Sequence, residues 1–450
     1  MMIELIVAGS LMADAQWKHR ARLDAPKEML PLGLGAAVAA SETGWIAVGC
    51  GRDSDIGTDA GAVAIWRSES EGIRFEEVVA HPSNRRDCAF GAALALDQLA
   101  SVLVIGAPNE DGRGEWPDDF QMGRVYLCEW RERWKVRATI ESPHPGIGAH
   151  FGAVVATDGT RIVVGSPDHS GAGFASGRAD VFIRHGDSWV CEGALLAPDD
   201  GSGSISGRRF GTSLAISKDT IIVGSPQSSG VGYSSGRADI FRLCKDGWQH
   251  SARVDAPSPQ SSAMFGMSVA IWSDRRTLRE AIAIGAPGET PTQSQSFPKH
   301  AGVVHLYDSH GAGTELERWT LSTTLTSPQP WCGSAQFRPE AFGMSMALRL
   351  GVIAIGASES CNPAVAGEGH EEGEGSGAVY VFRSTDLSAD TGNSPWTFDA
   401  RITAPDAALE VHDGYRIALG FGHRPLLIVG RLGNPDLSPG PGRANVYERP

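Results

Sequence analysis

The chain has 450 residues, 41 % of them hydrophobic and 20 % charged, and it carries 56 glycines and 26 prolines. That balance suits a folded chain, argues against global disorder, and favours many short strands joined by turns over long helices. A formal net charge of -14 repels polyanions, so no nucleic-acid partner is expected, and no stretch reaches the run of about 20 apolar residues that spans a bilayer, so no membrane insertion is expected either.

Residues 1–16 read as an N-terminal extension. Leu5-Ile6-Val7-Ala8-Gly9 is apolar and Ala13-Asp14-Ala15 resembles a cleavage site, but there is no basic leader and Glu4 intrudes, so a secretory signal is not convincing. Trp17 then opens the first recurring element, a Trp followed by an aliphatic residue and a closing Pro: Trp17/Leu23/Pro26, Trp134/Ile140/Pro143, Trp189/Leu195/Pro198, Trp248/Val254/Pro257, Trp319/Leu325/Pro328 and Trp396/Ile402/Pro405. Ile73/Val79/Pro82 is a further copy with Ile in place of Trp. The even spacing predicts a strand with the Trp, the small fourth residue and the aliphatic residue on one inward face. Pro cannot donate to a ladder, so it ends the strand.

The second element starts at Leu34-Gly35 and leads to Val48-Gly49-Cys50. Stronger copies start at Phe90-Gly91, Phe151-Gly152, Phe210-Gly211, Phe265-Gly266 and Phe342-Gly343. They run to Gly106-Ala107-Pro108, Gly165-Ser166-Pro167, Gly224-Ser225-Pro226, Gly285-Ala286-Pro287 and Gly356-Ala357, and a weaker copy runs from Tyr415 to Ile428-Val429-Gly430. A third strand follows, usually opened by Gly, as in Gly123-Arg124-Val125-Tyr126 and Gly377-Ala378-Val379-Tyr380. Two such strands hold Arg178-Ala179-Asp180 and Arg237-Ala238-Asp239, read here as solvent-facing strand residues rather than ligand motifs. Four short strands recurring with a period of 55 to 77 residues from Phe90 onward are the mark of a propeller, whose blades cover one another's faces. The predicted fold is all-β, a seven-bladed β-propeller of four-stranded antiparallel blades over residues 17–450. Trp17 to Ala25 should pair beside Ala444-Asn445-Val446-Tyr447 and complete the last blade. Glycine after Phe should allow close approach near the axis, and the Phe should wedge between blades.

Phe-Gly followed by Gly-Ala-Pro resembles the FG-GAP repeat of integrin alpha-subunit propellers, and more closely the bacterial and protist FG-GAP proteins whose repeats include a Trp-led fourth strand. The resemblance covers nearly the whole chain. It implies cell adhesion, ligand binding or complex assembly, and an extracellular or cell-surface setting. Integrin-type repeats often hold calcium between their first two strands. The connections Thr157-Asp158-Gly159-Thr160 and Ser217-Lys218-Asp219-Thr220 are too poor in oxygen ligands for that ion, so calcium dependence is not carried over.

No cofactor is read from the sequence. Asp53, Asp55 and Asp59 come nearest to a metal loop, but no Glu closes it, and a solvated turn is the favoured reading. His370-Glu371 lies among glycines that would not form the helix of a zinc motif. The seven cysteines contain no C-x-x-C pair and read as free thiols. No nucleophile elbow, P-loop or dinucleotide fingerprint occurs, so the chain reads as a non-catalytic interaction or scaffolding module with a protein partner. A carbohydrate- or small-ligand-binding propeller is the alternative, and an enzyme with a pocket at the axis is the third. Most long insertions fall on the face that carries the second-to-third strand loops and the connections into the next blade. Trp116, Asp118, Asp119, Phe120, Trp331, Phe337 and Arg338 are the partner-binding candidates there.

Overall fold

The structure, a computed structural model, describes residues 16–24, 34–51, 60–83, 87–112, 120–199, 206–230, 232–273, 280–291, 300–310, 318–328, 340–360, 377–384, 396–403, 405, 416–431 and 443–450. Strand β1 (Lys18–Leu23) precedes blade 1, which is β2 (Leu34–Ala40), β3 (Trp45–Cys50), β4 (Ala62–Glu69) and β5 (Gly72–Ala80). Blade 2 is β6 (Ala93–Leu96), β7 (Val102–Ala107), β8 (Arg124–Trp130) and β9 (Trp134–Glu141). Blade 3 is β10 (Val154–Thr157), β11 (Arg161–Ser166), β12 (Arg178–His185) and β13 (Ser188–Leu195). Blade 4 is β14 (Ser213–Ser217), β15 (Thr220–Ser225), β16 (Arg237–Cys244) and β17 (Gly247–Val254). Blade 5 is β18 (Ser268–Ser273), β19 (Glu280–Ala286), β20 (Val303–His310) and β21 (Arg318–Leu325). Blade 6 is β22 (Phe342–Arg349), β23 (Val352–Ala357), β24 (Ala378–Ser384) and β25 (Trp396–Ile402). Blade 7 is β26 (Arg416–Phe421), β27 (Pro425–Arg431) and β28 (Arg443–Glu448), with β1 as its fourth strand.

The closure expected from the sequence is present. Strand β1 runs antiparallel to β28 with Lys18 opposite Glu448 and Leu23 opposite Ala444. The first strands of successive blades touch in order around the axis, and β26 returns to β2. Seven apolar clusters form the core, one at each blade interface. Phe90, Phe151, Phe210, Phe265 and Phe342 are fully buried in them, as the wedge reading requires. Phe90, for example, packs with Val63 and Ile65 of blade 1 and Leu103 and Ile105 of its own blade.

The glycines of the two motifs meet across these interfaces. A Cβ on Gly106, in the Gly-Ala-Pro of blade 2, would lie 2.1 Å from the carbonyl oxygen of Gly152, in the Phe-Gly of blade 3. No side chain fits at that backbone-to-backbone distance. Gly152 has a φ of 90° as well, which an L-residue resists. One contact between neighbouring blades thus explains both halves of the motif.

Two sequence expectations need correction. The Trp and the aliphatic residue of the fourth strand do not share a face. In every blade the pairing of third and fourth strands contains a β-bulge. In blade 4, His250 pairs with Phe241 and Ala252 with Ile240, so Ser251 is the extra residue. One extra residue inverts the alternation. Trp248 therefore packs back into the cluster of blades 3 and 4, while Val254 packs forward into that of blades 4 and 5. The other correction concerns Arg178, Asp180, Arg237 and Asp239, which are buried rather than solvent-facing. A third strand lies inside its sheet with a blade on either side, so both of its faces are covered. The charges are tolerated there because Arg178 Nε donates to Asp180 at 2.8 Å and Arg237 sits 3.3 Å from Asp239.

Candidate functional site

The face carrying the second-to-third strand loops is built by a repeated device. In blade 2 the loop between β7 and β8 lies beside the connection into blade 3. The carbonyls of Phe120, Gln121 and Met122 accept N–H bonds from Gly148, His150 and Phe151 at 2.9, 3.2 and 2.9 Å. The next interface repeats this with Phe174, Ala175 and Ser176 accepting from Gly207, Arg209 and Phe210 at 2.7, 3.1 and 3.1 Å. The following one has Tyr233, Ser234 and Ser235 accepting from Ser262, Met264 and Phe265 at 2.7, 3.1 and 3.0 Å. Backbone pairing of this kind holds loop residues that would otherwise be free to move.

Three side chains gain from it. Phe120 is 40 % exposed, Phe174 80 % and Tyr233 77 %. Each stands three places before the Gly that opens its third strand, Gly123, Gly177 and Gly236. They therefore recur at one loop position in three consecutive blades. Ile147 adds further exposed apolar surface beside the first of them. Charge lies between the first two aromatics: Asp168 accepts from His150 Nδ1 at 2.9 Å and from Arg209 at 2.5 Å. The hydrogen bond from His150 outweighs the effect of burial and, with the Arg209 charge, holds the Asp168 carboxyl below its usual range.

Beneath the loops runs a belt of buried polar groups on the third strands. The residue three places after the opening Gly is Tyr126, Asp180, Asp239, His305 or Tyr380 in blades 2 to 6, each of them buried. Each bonds to a group that anchors a loop or strand end. The Tyr126 hydroxyl donates to Glu110 at 2.8 Å, His305 Nε2 lies 3.0 Å from Glu289, and Tyr380 donates to Glu340 at 2.5 Å. Burial pushes the Glu340 carboxyl up despite the hydrogen bonds from Tyr380 and Ser360, and burial beside Glu340 pushes Tyr380 up to about 12. The belt therefore serves loop geometry.

The opposite face has a cavity of about 760 Å³ at the axis, lined by the turns between first and second strands of blades 1 to 6. Its carboxylates among the described residues, Glu42, Asp97 and Asp158, each have a hydrogen-bond or ion-pair partner. Asp97 accepts from the Val102 N–H at 2.7 Å and the Ser101 hydroxyl at 2.9 Å. Asp158 accepts from the Thr160 and Arg161 N–H groups at 2.9 and 2.8 Å. Glu42 pairs with Arg349. These bonds hold the turns.

Of the partner-binding candidates named from the sequence, Phe120 is placed, exposed, on the expected face. Trp116, Asp118, Asp119, Trp331, Phe337 and Arg338 lie outside the described residues, as do Asp53, Asp55 and Asp59. Phe174 and Tyr233 were not singled out by sequence reasoning, although their shared distance from the strand-opening Gly was a usable signal.

Residues 189–241 match the FG-GAP repeat family model, a span running from the fourth strand of blade 3 through the third strand of blade 4. No curated protein matches the sequence. Among solved structures, the chain is similar to the β-propeller domain of Myceliophteria thermophila Cps50 (Swd1), with 10 % identity, a TM-score of 0.53, and 97 % of this chain and 100 % of that one covered. It is likewise similar to the WD40 repeats of RRP9, at 11 % identity and a TM-score of 0.54, with 96 % and 100 % covered. At such identities the likeness concerns the fold alone. Motif, blade geometry and family match agree on an FG-GAP repeat, matched over residues 189–241, within a seven-bladed β-propeller.

Proposed function

We propose that the protein is a non-catalytic interaction module whose partner protein docks on the face carrying Phe120, Phe174 and Tyr233. The observation that carries this reading is the recurrence of an exposed aromatic at one loop position in three consecutive blades. A large apolar ring costs free energy in water, and a buried alternative is available to most rings in a domain of this size. Tied backbones reduce the entropy lost on binding, and aromatics dominate the energetics of many interfaces. The Asp168, His150 and Arg209 group supplies a polar border of the kind that surrounds interface cores.

The test is co-purification from the native source, comparing wild type with Phe174→Ala/Tyr233→Ala. Loss of two anchoring rings should weaken binding by about a hundredfold or more, with the melting temperature nearly unchanged because neither ring is part of the core. A partner retained equally by both proteins would overturn the proposal. Binding to a glycan array that disappears in the double variant, with no protein captured, would instead support the carbohydrate alternative.

A further inference from the structure

The residue before the closing Pro of the fourth strand is small in six repeats: Ala25, Ser142, Ala197, Ala256, Ser327 and Ala404. Blade 1 has His81 there. Two places before the Phe of Phe-Gly, blades 3 to 6 have Ala149, Arg208, Ala263 and Glu340, whereas blade 2 has Cys88. Both departures lie on the connection between blades 1 and 2, and both side chains meet Glu110 of the β7–β8 loop. Donor atoms of His81, Cys88 and Glu110 all lie within 4.8 Å of one another, the one such group of three among the described residues. The His81 and Glu110 side chains are fully enclosed, and Cys88 is 1 % exposed. The fold does not need a histidine at this position, since a small residue serves there in the other six repeats.

We propose that His81, Cys88 and Glu110 bind a divalent transition ion of the zinc class, which pins the first inter-blade connection to blade 2. Thiolate, imidazole and carboxylate together suit a borderline-soft, four-coordinate ion better than calcium or magnesium. The two oxygens of Glu110 are divided between tasks: Oε1 pairs with Arg124, and Oε2 faces His81 Nε2 at 3.3 Å. The Tyr126 hydroxyl, 3.0 Å from His81 Nε2 and 2.8 Å from Glu110 Oε2, is placed to be the fourth ligand or to hold a water there. Donor separations of this size need only small side-chain shifts to reach bonding distances of about 2.0–2.3 Å. Binding takes the proton from the Cys88 thiol and releases it to solvent. The imidazole stays neutral: its proton moves to Nδ1, and the N–H of exposed Ser83, now 3.3 Å from Nδ1, turns to water. Enclosure makes the site structural, with no open position for a substrate.

The test uses cobalt(II) as a spectroscopic stand-in, on the full chain with the exposed thiols among the described residues removed by Cys191→Ser and Cys244→Ser, and with Cys332 and Cys361, which lie outside those residues, also changed to Ser. One equivalent of cobalt should give thiolate-to-metal charge-transfer absorption and tetrahedral visible bands, with release of about one proton per ion. Cys88→Ser should abolish the charge-transfer band, and His81→Gln should weaken binding by at least about tenfold. Zinc should raise the melting temperature of the background protein, because an ion bound only by the folded state stabilises it. Charge-transfer absorption that is absent from the background protein, or unchanged by Cys88→Ser, overturns the proposal. Should Cys88→Ser not fold, unchanged bands in His81→Gln, or a melting temperature indifferent to zinc, do so equally.

Discussion

Glu192 illustrates how single residues join the blades. It is the extra residue of the blade 3 bulge, since Cys191 pairs with Phe182 and Gly193 with Val181. Its carboxylate accepts from Arg161 Nε at 2.7 Å and from the Trp248 indole N–H of the next blade at 2.8 Å. Burial alone would raise its pKa, but the Arg161 and Trp248 hydrogen bonds overcome that effect and leave it below 4.5. A depressed carboxylate contributes stability above its unfolded pKa and loses it as pH falls through the folded value. Glu192→Gln should therefore cost about 1–2 kcal/mol in urea denaturation at neutral pH. The gap from wild type should narrow as pH drops below about 4.5 and vanish once the wild-type carboxyl is protonated. A gap independent of pH would show that the charge is not what matters. Asp399 occupies the corresponding bulge of blade 6 and receives the Trp17 indole N–H at 3.1 Å. At Trp17 and Trp248 the Trp-led motif thus provides both an apolar surface and a hydrogen-bond donor aimed at the preceding blade, whereas the buried indole N–H groups of Trp134 and Trp319 have no such acceptor.

At the scale of one strand, the bulge decides which neighbour each half serves. Trp319 packs with blades 4 and 5 while Leu325 packs with blades 5 and 6, and the same division holds for Trp134 and Ile140. Deleting Ser251 would restore strict alternation and turn Trp248 and Val254 toward the same interface. Its expected effect is a loss above about 4 kcal/mol or failure to fold, because one interface is overfilled and the other left with a cavity. Ser251→Ala keeps the residue count and should stay within about 0.5 kcal/mol of wild type. Equal midpoints for the two variants would refute this account of the bulge. The repeat spacing made the strands, their order and the ring closure legible, because Phe-Gly, Gly-Ala-Pro and the Trp-led strand are each tied to one steric requirement. The bulge was hidden because Trp, the small fourth residue and the aliphatic sixth suggest simple alternation; what matters is the insertion between them. The buried Arg178 and Asp180 were misread for a related reason: charge suggests exposure, whereas a middle strand has no exposed face. On the proposed docking face, Phe120 stands out within a long insertion, but Phe174 and Tyr233 lie in shorter loops between second and third strands that give no such signal. The convergence of His81, Cys88 and Glu110 depends on the path between blades, which residue spacing does not encode.

For the whole molecule, closure determines stability. Leu23 of β1 is buried with Leu34, Ile46 and Ile428, so the first strand of the chain seals the interface between blades 7 and 1. Removing residues 1–24 should uncover the edge of β28, cost more than about 3 kcal/mol and cause self-association visible by size-exclusion chromatography. A truncated protein that stays monomeric with an unchanged melting temperature would contradict this. The same pairing sets a timetable during synthesis. His19 and its partner Asn445 are separated by 426 positions, which a ribosome takes about 20 to 90 s to traverse at about 5–20 residues per second. Strand β1 leaves the exit tunnel early and waits, unpaired, until β28 has been synthesised. Its sequence, KHRARL, suits that wait, because repeated positive charge discourages it from joining another nascent chain. A chain that stalls before Arg443 never covers β1 and leaves blade 7 short of two strands, so the finished ring also certifies that translation ran past that point.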